Sequence, residues 1–469
     1  MAAEQAAKLM SGSDGLQAVE HLVVLMLENR SFDHMLGFLY TDEGNVSPAG
    51  QPYEGLTGQE TNPDQNGKLV TVRRIRSTDP HPYFMPGANP GEGYGPTNAQ
   101  LFGTPNPPTP PVAGMQGFVT DFARVLDQPP QPNHTVLPGT VPADIMSCFT
   151  PDTVPVISAL ARGYAVCDHW YSSVPTETLP NRAFSCAATS QGHLDDHTHN
   201  FTCPSIFGRL TSAGVSWRAY GYHAAPLVSG NFPDIHGASA DHFGVFTAFQ
   251  AAAAAGTLPS FTFLEPSWGA TGNSEHPILD VALGEHLIRD VYRALRDGPA
   301  PAWGKTLLVI TYDEHGGCYD HVPPPTTSAP PGDGTIGELG FDFKRFGVRV
   351  PTVLVSPLIA PGTVFRSPDA AAQLDHTSIL RTVERRWSLP ALTARDAAAA
   401  DIGPVLTLAA PRTDDVLAGV TAPASAAVNP VAGEVTHLQQ VYADLVARRL
   451  IPPGAVAAAT AATGPPSGG

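Results

Sequence analysis

Two uninterrupted apolar runs, each stopped by a pair of acid or amide side chains, constrain this chain more than any other feature. The first, His21-Leu22-Val23-Val24-Leu25-Met26-Leu27, ends in Glu28-Asn29, and the second, Thr306-Leu307-Leu308-Val309-Ile310-Thr311-Tyr312, ends in Asp313-Glu314. A strand with one wet face alternates apolar and polar residues. A run without alternation belongs to a strand buried on both faces, as in a parallel sheet covered by helices. Further strands are predicted at 164–168, 215–220, 261–265 and 350–355, and helical spacing of apolar residues at 154–161, 280–295, 377–384 and 435–450. Strands alternating with helices predict a three-layer α/β/α core with a mostly parallel, doubly wound sheet.

The core is expected over 16–412, with residues 40–145, rich in Gly, Pro, Asn and Thr, as a loop-rich insertion that walls a site. A helical extension is expected over 413–452, and an Ala/Pro/Gly-rich, disordered tail over 453–469. An apolar content of 42% with 15% charged residues fits a globular chain. With 26 basic against 43 acidic residues, the net charge of −17 argues against a nucleic-acid partner or a surface that clings to anionic lipid. A zwitterionic or small phosphate ester stays open as a substrate. No apolar run approaches the ~20 residues of a transmembrane segment. The first residues lack the basic-then-apolar layout of a secretion signal, so the sequence as given is expected in the cytoplasm, or outside the cell if a signal was removed or another export route is used.

Parallel α/β sheets bind ligands at the carboxyl ends of their strands, so the residues that stop the two apolar runs are the ones to examine. Glu28, Asn29, Asp313 and Glu314 offer hard oxygen donors for one divalent cation, with Mg, Ca or Mn favoured over a soft metal. One such pair alone usually just caps a turn. A third element is Thr178-Leu179-Pro180-Asn181-Arg182. Pro180 in the first turn of a helix places Thr178 just ahead of the helix N-terminus, where backbone N–H groups can receive a phosphoryl oxygen. A hydroxyl beside a cation is suited to attack phosphorus, and Arg182 is placed to clamp a nonbridging oxygen. Three loop histidines, His81, His276 and His321, are candidate proton donors, although a threonine before a helix is commonly a plain cap and a loop histidine commonly solvated.

The residues from His21 to Gly37 closely resemble the opening signature of the bacterial and plant phospholipase C/acid phosphatase family, an alkaline-phosphatase-like group. Thr311-Tyr312-Asp313-Glu314-His315-Gly316-Gly317-Cys318-Tyr319-Asp320-His321 is similar to its second signature. Thr178-Leu179-Pro180-Asn181-Arg182, Glu275-His276-Pro277, Gly347-Val348-Arg349-Val350-Pro351 and Asp375-His376-Thr377-Ser378 match in the same order. The resemblance implies one metal held at Glu28, Asn29, Asp313 and Glu314, a Thr178 nucleophile that also touches the metal, and a phosphate pocket lined by His81 and His276, with His321 in a matching motif. It also implies a phospholipase C acting on phosphatidylcholine-type glycerophospholipids through a phosphothreonine, with an acid phosphatase acting on monoesters as the alternative. An inactive, ligand-binding relative would have lost a metal ligand or the nucleophile, and every matched position here keeps a competent residue.

Overall fold

The computed structural model describes residues 15–129, 134–199, 201–426, 428–433 and 435–462. Both apolar runs form strands with the bounds expected, each buried along nearly its whole length: β1 is His21–Leu27 and β6 is Thr306–Tyr312. Numbering only the strands of the main sheet, the others are β2 (Ala165–Val166), β3 (Trp217–Gly221), β4 (Phe243–Val245), β5 (Phe261–Leu264), β7 (Thr352–Val355) and β8 (Thr363–Val364). Their order across the eight-stranded sheet is β8-β2-β7-β6-β1-β5-β3-β4. The two long strands lie side by side at its centre, parallel and in register from His21 opposite Thr306 to Leu27 opposite Tyr312. Their carboxyl ends therefore finish together, which brings Glu28-Asn29 beside Asp313-Glu314.

The sheet is mostly parallel, as expected, with one strand reversed. β7 runs antiparallel to both β6 and β2. The connection from β6 to β7 contains no α-helix. Without a crossover element the chain re-enters the sheet from the end it left, and an antiparallel pair is what that produces. Burial on both faces removes the alternation that would otherwise hint at a strand's surroundings, so direction cannot be read from the run itself.

Helices pack in two groups. Val281–Arg296, capped by Asp280 through a hydrogen bond to the Ala282 N–H, packs against Pro155–Gly163 and Phe246–Ala255. Thr178–Ala187 packs against Thr377–Trp387 and Ile206–Ser212. One core cluster runs through the sheet and both groups, from Val23 and Val309 to Ile157, Ile288, Leu380 and Leu445. Residues 40–145 are irregular over much of their length but carry helices Tyr94–Phe102 and Phe118–Leu126, which pack on each other around their own buried set, including Leu56, Leu101, Phe118, Phe122, Ile145 and Tyr319.

The C-terminal stretch differs from expectation. Pro453–Ala462, assigned above to a disordered tail, is an α-helix that packs on β4, with Ala455 buried. Alanine is the best helix former, and a proline at the first helical position removes only an N–H that would have no partner. Low complexity here marks a simple helix rather than absent structure; residues 463–469 of the expected tail lie outside the described residues. No helix among the described residues is long and apolar enough to cross a membrane.

Candidate active site

The site is assembled where β1 and β6 end. Asn29 leaves β1 with φ +56°, a left-handed conformation that asparagine tolerates better than most residues. Its backbone N–H donates to Asp313 Oδ1 at 3.0 Å, which ties the two strand ends together. Gly316, also left-handed, lies so close that a Cβ there would sit 2.1 Å from the Asn29 carbonyl oxygen, so only glycine lets the loop after β6 pass. The side chain of Asn29 points to the third element: Thr178 Oγ1 donates to Asn29 Oδ1 at 3.1 Å.

Thr178 is the first residue of its helix, with Glu177 as the cap position, so the helix begins one residue earlier than Pro180 suggests. Proline is tolerated throughout the first turn because those N–H groups have no intrahelical partner. One of them, on Leu179, donates to Asp196 Oδ1 at 2.6 Å. Arg182 lies one turn on and is buried. Its Nε donates to Asp313 Oδ2 at 2.9 Å and its Nη2 to the carbonyls of Leu27 (3.1 Å) and Met26 (3.3 Å). It therefore orients Asp313 and the end of β1, and the buried Nη1 is the one guanidinium nitrogen left without a partner.

The electrostatics are lopsided. Burial, reinforced by Asp313, pushes the Glu28 carboxyl up; burial with Glu92 and Asp313 does the same to Glu314. Asp313 is also raised by burial, although Arg182 opposes the shift. Both oxygens of Glu28 and Oε1 of Glu314 are buried without a hydrogen-bond partner. Buried carboxylate oxygens lacking donors are costly, and a hard divalent cation is the group whose charge and oxygen preference would satisfy them. Among the described residues, the carboxylate and imidazole atoms here that lie close enough together to share one ion are those of Glu28, His276 and His437, while Asn29, Thr178, Asp313 and Glu314 add oxygens at the same strand ends.

Of the three loop histidines, the structure brings one here. The ligand atoms of Glu28, His276 and His437 lie within 4.8 Å of one another. His81 does not join them. It is exposed, left-handed at φ +47°, and lines a separate cleft with Arg73, Met85, Leu137 and Asp144. The 40–145 segment instead supplies Glu92, which accepts a hydrogen bond from Asn29 Nδ2 and lies 3.7 Å from His276 Nε2.

His321 joins a different group. Its Nδ1 pairs with Asp33 Oδ2 at 2.5 Å, while the wholly buried Arg349 bonds Asp33 Oδ1 at 2.9 Å and Asp320 Oδ1 at 3.0 Å. Asp33, Asp320 and His321 could in principle hold a metal, but a guanidinium already fills the place a cation would take.

Glu92, Asp196 and His437 were not foreseen. His437 opens the helix His437–Ala447, and the Thr436-His437-Leu438-Gln439 capping box marks that helix start in the sequence. Nothing local marks the histidine as part of a site. His437 Nε2 lies 2.8 Å from Asp196 Oδ2, and Nδ1 lies 4.0 Å from Glu92 Oε1. Burial alone would lower its pKa, but Asp196, Glu92 and Glu28 outweigh that and lift it to about 10.

The phosphoesterase family matches this chain over residues 19–390. Non-specific phospholipase C6 of Arabidopsis thaliana is 37% identical over 84% of this chain and 74% of its own length. Non-specific phospholipase C3 of the same plant is 32% identical over 86% of this chain and 76% of its own. Phospholipase C A of Mycobacterium tuberculosis is 29% identical over 84% and 78%. With a family match across most of its length and a hydroxyl, carboxylates and imidazole gathered at the matched segments, the chain belongs to the phosphoesterase family and is a phosphoric-ester hydrolase.

Proposed function

We propose that the protein is a phospholipase C that cleaves phosphatidylcholine-type glycerophospholipids to diacylglycerol and a phosphorylated head group, with Thr178 as nucleophile. The observation that carries the reading is the contact between Thr178 Oγ1 and Asn29, which sets a helix-tip alcohol directly against the oxygens at the ends of the two central strands. Asp313, held by Arg182 and by the Asn29 N–H, is fixed for the same task. Glu28, Asn29, Thr178, Asp313 and Glu314 would hold one divalent ion, Mg, Ca or Mn by the hardness of the donors. When bound, that ion supplies positive charge to the reacting oxygens.

In the first step Thr178 Oγ forms a bond to phosphorus as the bond to the diacylglycerol oxygen breaks in line with it, and the proton the threonine hydroxyl gives up balances the one the departing alcohol takes. Water then attacks the phosphothreonine, and the Thr178 oxygen departs and regains its proton. His276, buried beside Glu28, would face the phosphoryl group. The relatives named phospholipase C support the choice of a phospholipid over a phosphomonoester. A cavity beside the site, lined by Tyr222, Trp268 and Tyr442, supports it as well, because Trp268 stacks on Arg182 with the guanidinium carbon 4.7 Å from the ring centre. A phosphatidylcholine assay beside a fluorogenic monophosphate assay decides the matter: phospholipid turnover above monoester turnover is expected, and the reverse would make the protein an acid phosphatase.

A further inference from the structure

We infer that His437, delivered by the C-terminal extension, is a catalytic residue whose imidazole N–H donates a hydrogen bond to a nonbridging oxygen of the phosphoryl group on Thr178. The inference rests on the proposed reading of Thr178 as the residue that meets phosphorus.

Position is the first argument. Asp196 bridges the nucleophile's helix and His437: its Oδ1 accepts the Leu179 N–H at 2.6 Å, and its Oδ2 lies 2.8 Å from His437 Nε2. One carboxylate thus links the tip that carries Thr178 to the imidazole. On the other side, the rings of His437 and His276 are 5.1 Å apart between centres, and both face Glu28.

Unmet hydrogen bonding is the second. The buried Nε2 of His276 has no hydrogen-bond partner. His437 Nε2 is held by Asp196 at 2.8 Å, whereas its Nδ1, 4.0 Å from Glu92 Oε1, and His276 Nε2, 3.7 Å from Glu92 Oε2, both lie beyond hydrogen-bond reach of that carboxylate. The charged side chains nearest the two rings, Glu28, Glu92 and Asp196, are carboxylates that repel a phosphoryl oxygen. An imidazole donor among them gives a phosphoryl group its reason to settle there.

Rigidity is the third. Thr436 Oγ1 accepts the Gln439 N–H at 3.2 Å and donates to the Trp268 carbonyl at 2.6 Å, while Gln439 Oε1 accepts the Thr436 N–H at 3.1 Å. Behind this cap, Leu438, Val441 and Leu445 are buried on one face of the helix. The ring is held by a packed helix rather than carried on a loose end, as a group that must meet a transition state requires.

The test uses the full chain as wild type, His437→Ala and His437→Gln, the last keeping an N–H donor. Inorganic phosphate affinity is measured by calorimetry, bound metal per chain by elemental analysis, and kcat and KM on the phosphodiester substrate. His437→Ala is expected to weaken phosphate binding by about 10- to 100-fold and to lower kcat more than it raises KM, with metal content unchanged, because a hydrogen bond to a charged group is lost. His437→Gln is expected to recover part of both. Unchanged phosphate affinity in both variants would overturn the inference, and so would a loss of metal that accounts for the weaker binding. If His437→Ala does not fold, the His437→Gln measurement decides: a partial loss of affinity and of kcat at full metal content supports a donor role, and wild-type affinity or a loss of metal opposes it. A wild-type chain that binds phosphate but cleaves no phosphate ester would instead sink the proposed function and leave the binding comparison standing.

Discussion

Two clusters of charge grow from the same pair of strand ends, and they are built on opposite terms. In one, Asp33 and Asp320 are matched by Arg349 and His321, and each acidic side chain is paired at close range. In the other, Glu28, Asp313, Glu314 and Glu92 face one buried arginine and the His437 imidazole, with oxygens of Glu28 and Glu314 left bare. The first cluster lies a few residues further along both segments than the second, in the short helix Phe32–Leu36 and the loop after β6. A closed charge cluster knots the chain together, whereas an open one is a place made for something to bind. The distinction is not about how acidic the residues are; it is about whether the fold supplies their counter-charge.

Thr178→Ala gives the largest effect, because it removes the proposed nucleophile from the open cluster. Turnover should fall by roughly 10³-fold or more while thermal unfolding is nearly unchanged. Arg349→Met probes the closed cluster. It strands two buried carboxylates and should cost about 3–5 kcal/mol in denaturant unfolding.

Glu28→Gln is expected to have the opposite sign in the metal-stripped protein. Burial and Asp313 raise the Glu28 carboxyl above its ordinary range, so its charged form weakens the fold above that range. The amide should therefore gain about 1–3 kcal/mol at pH 7 while abolishing metal binding, and the metal-stripped wild type should become more stable as pH falls from neutral toward the ordinary carboxylate range. A loss of stability in that variant would erase the contrast between the clusters.

His321 gives a smaller, pH-dependent effect. Burial disfavours its charge, but Asp33 overcomes this and lifts the group from 6.5 to about 9. A raised histidine stabilises fully below the unfolded value and loses that contribution as pH rises through the folded one. Stability should then decline between about pH 6.5 and 9, by no more than about 3 kcal/mol, and His321→Gln should flatten the profile. The smallest effect belongs to His81→Ala, which should leave kcat/KM within about threefold and stability within about 0.5 kcal/mol, as for an ordinary surface position.

The mismatch over histidines shows what a linear reading can see. Asp79-Pro80-His81 looks like a motif because its neighbours restrict it, yet the chain turns it outward into another cleft. Glu92, eleven residues after His81, lies between glycines that look like plain turn residues, and it is the side chain that reaches Asn29. His437 sits at an ordinary helix start more than 400 residues after Glu28, and what it contacts depends on where that helix docks.

Strand existence and bounds at β1 and β6, and the four polar residues that follow them, could be read directly, because burial on both faces demands an unbroken apolar run and a polar stop is visible beside it. The helix at Thr178 and the helix at 280–295 were visible for similar local reasons, a proline in the first turn and a capping aspartate ahead of a periodic stripe. By itself, then, the sequence determined the central pair of strands, the polar residues that end them and the threonine at the helix tip. Tertiary structure alone decided the reversed direction of β7, the choice of Glu92 over His81, the closure of Asp33 and Asp320 by Arg349, and the arrival of His437. Those outcomes depend on which distant surfaces pack together, and contact between residues far apart in the chain leaves no period or spacing in the residues that make it.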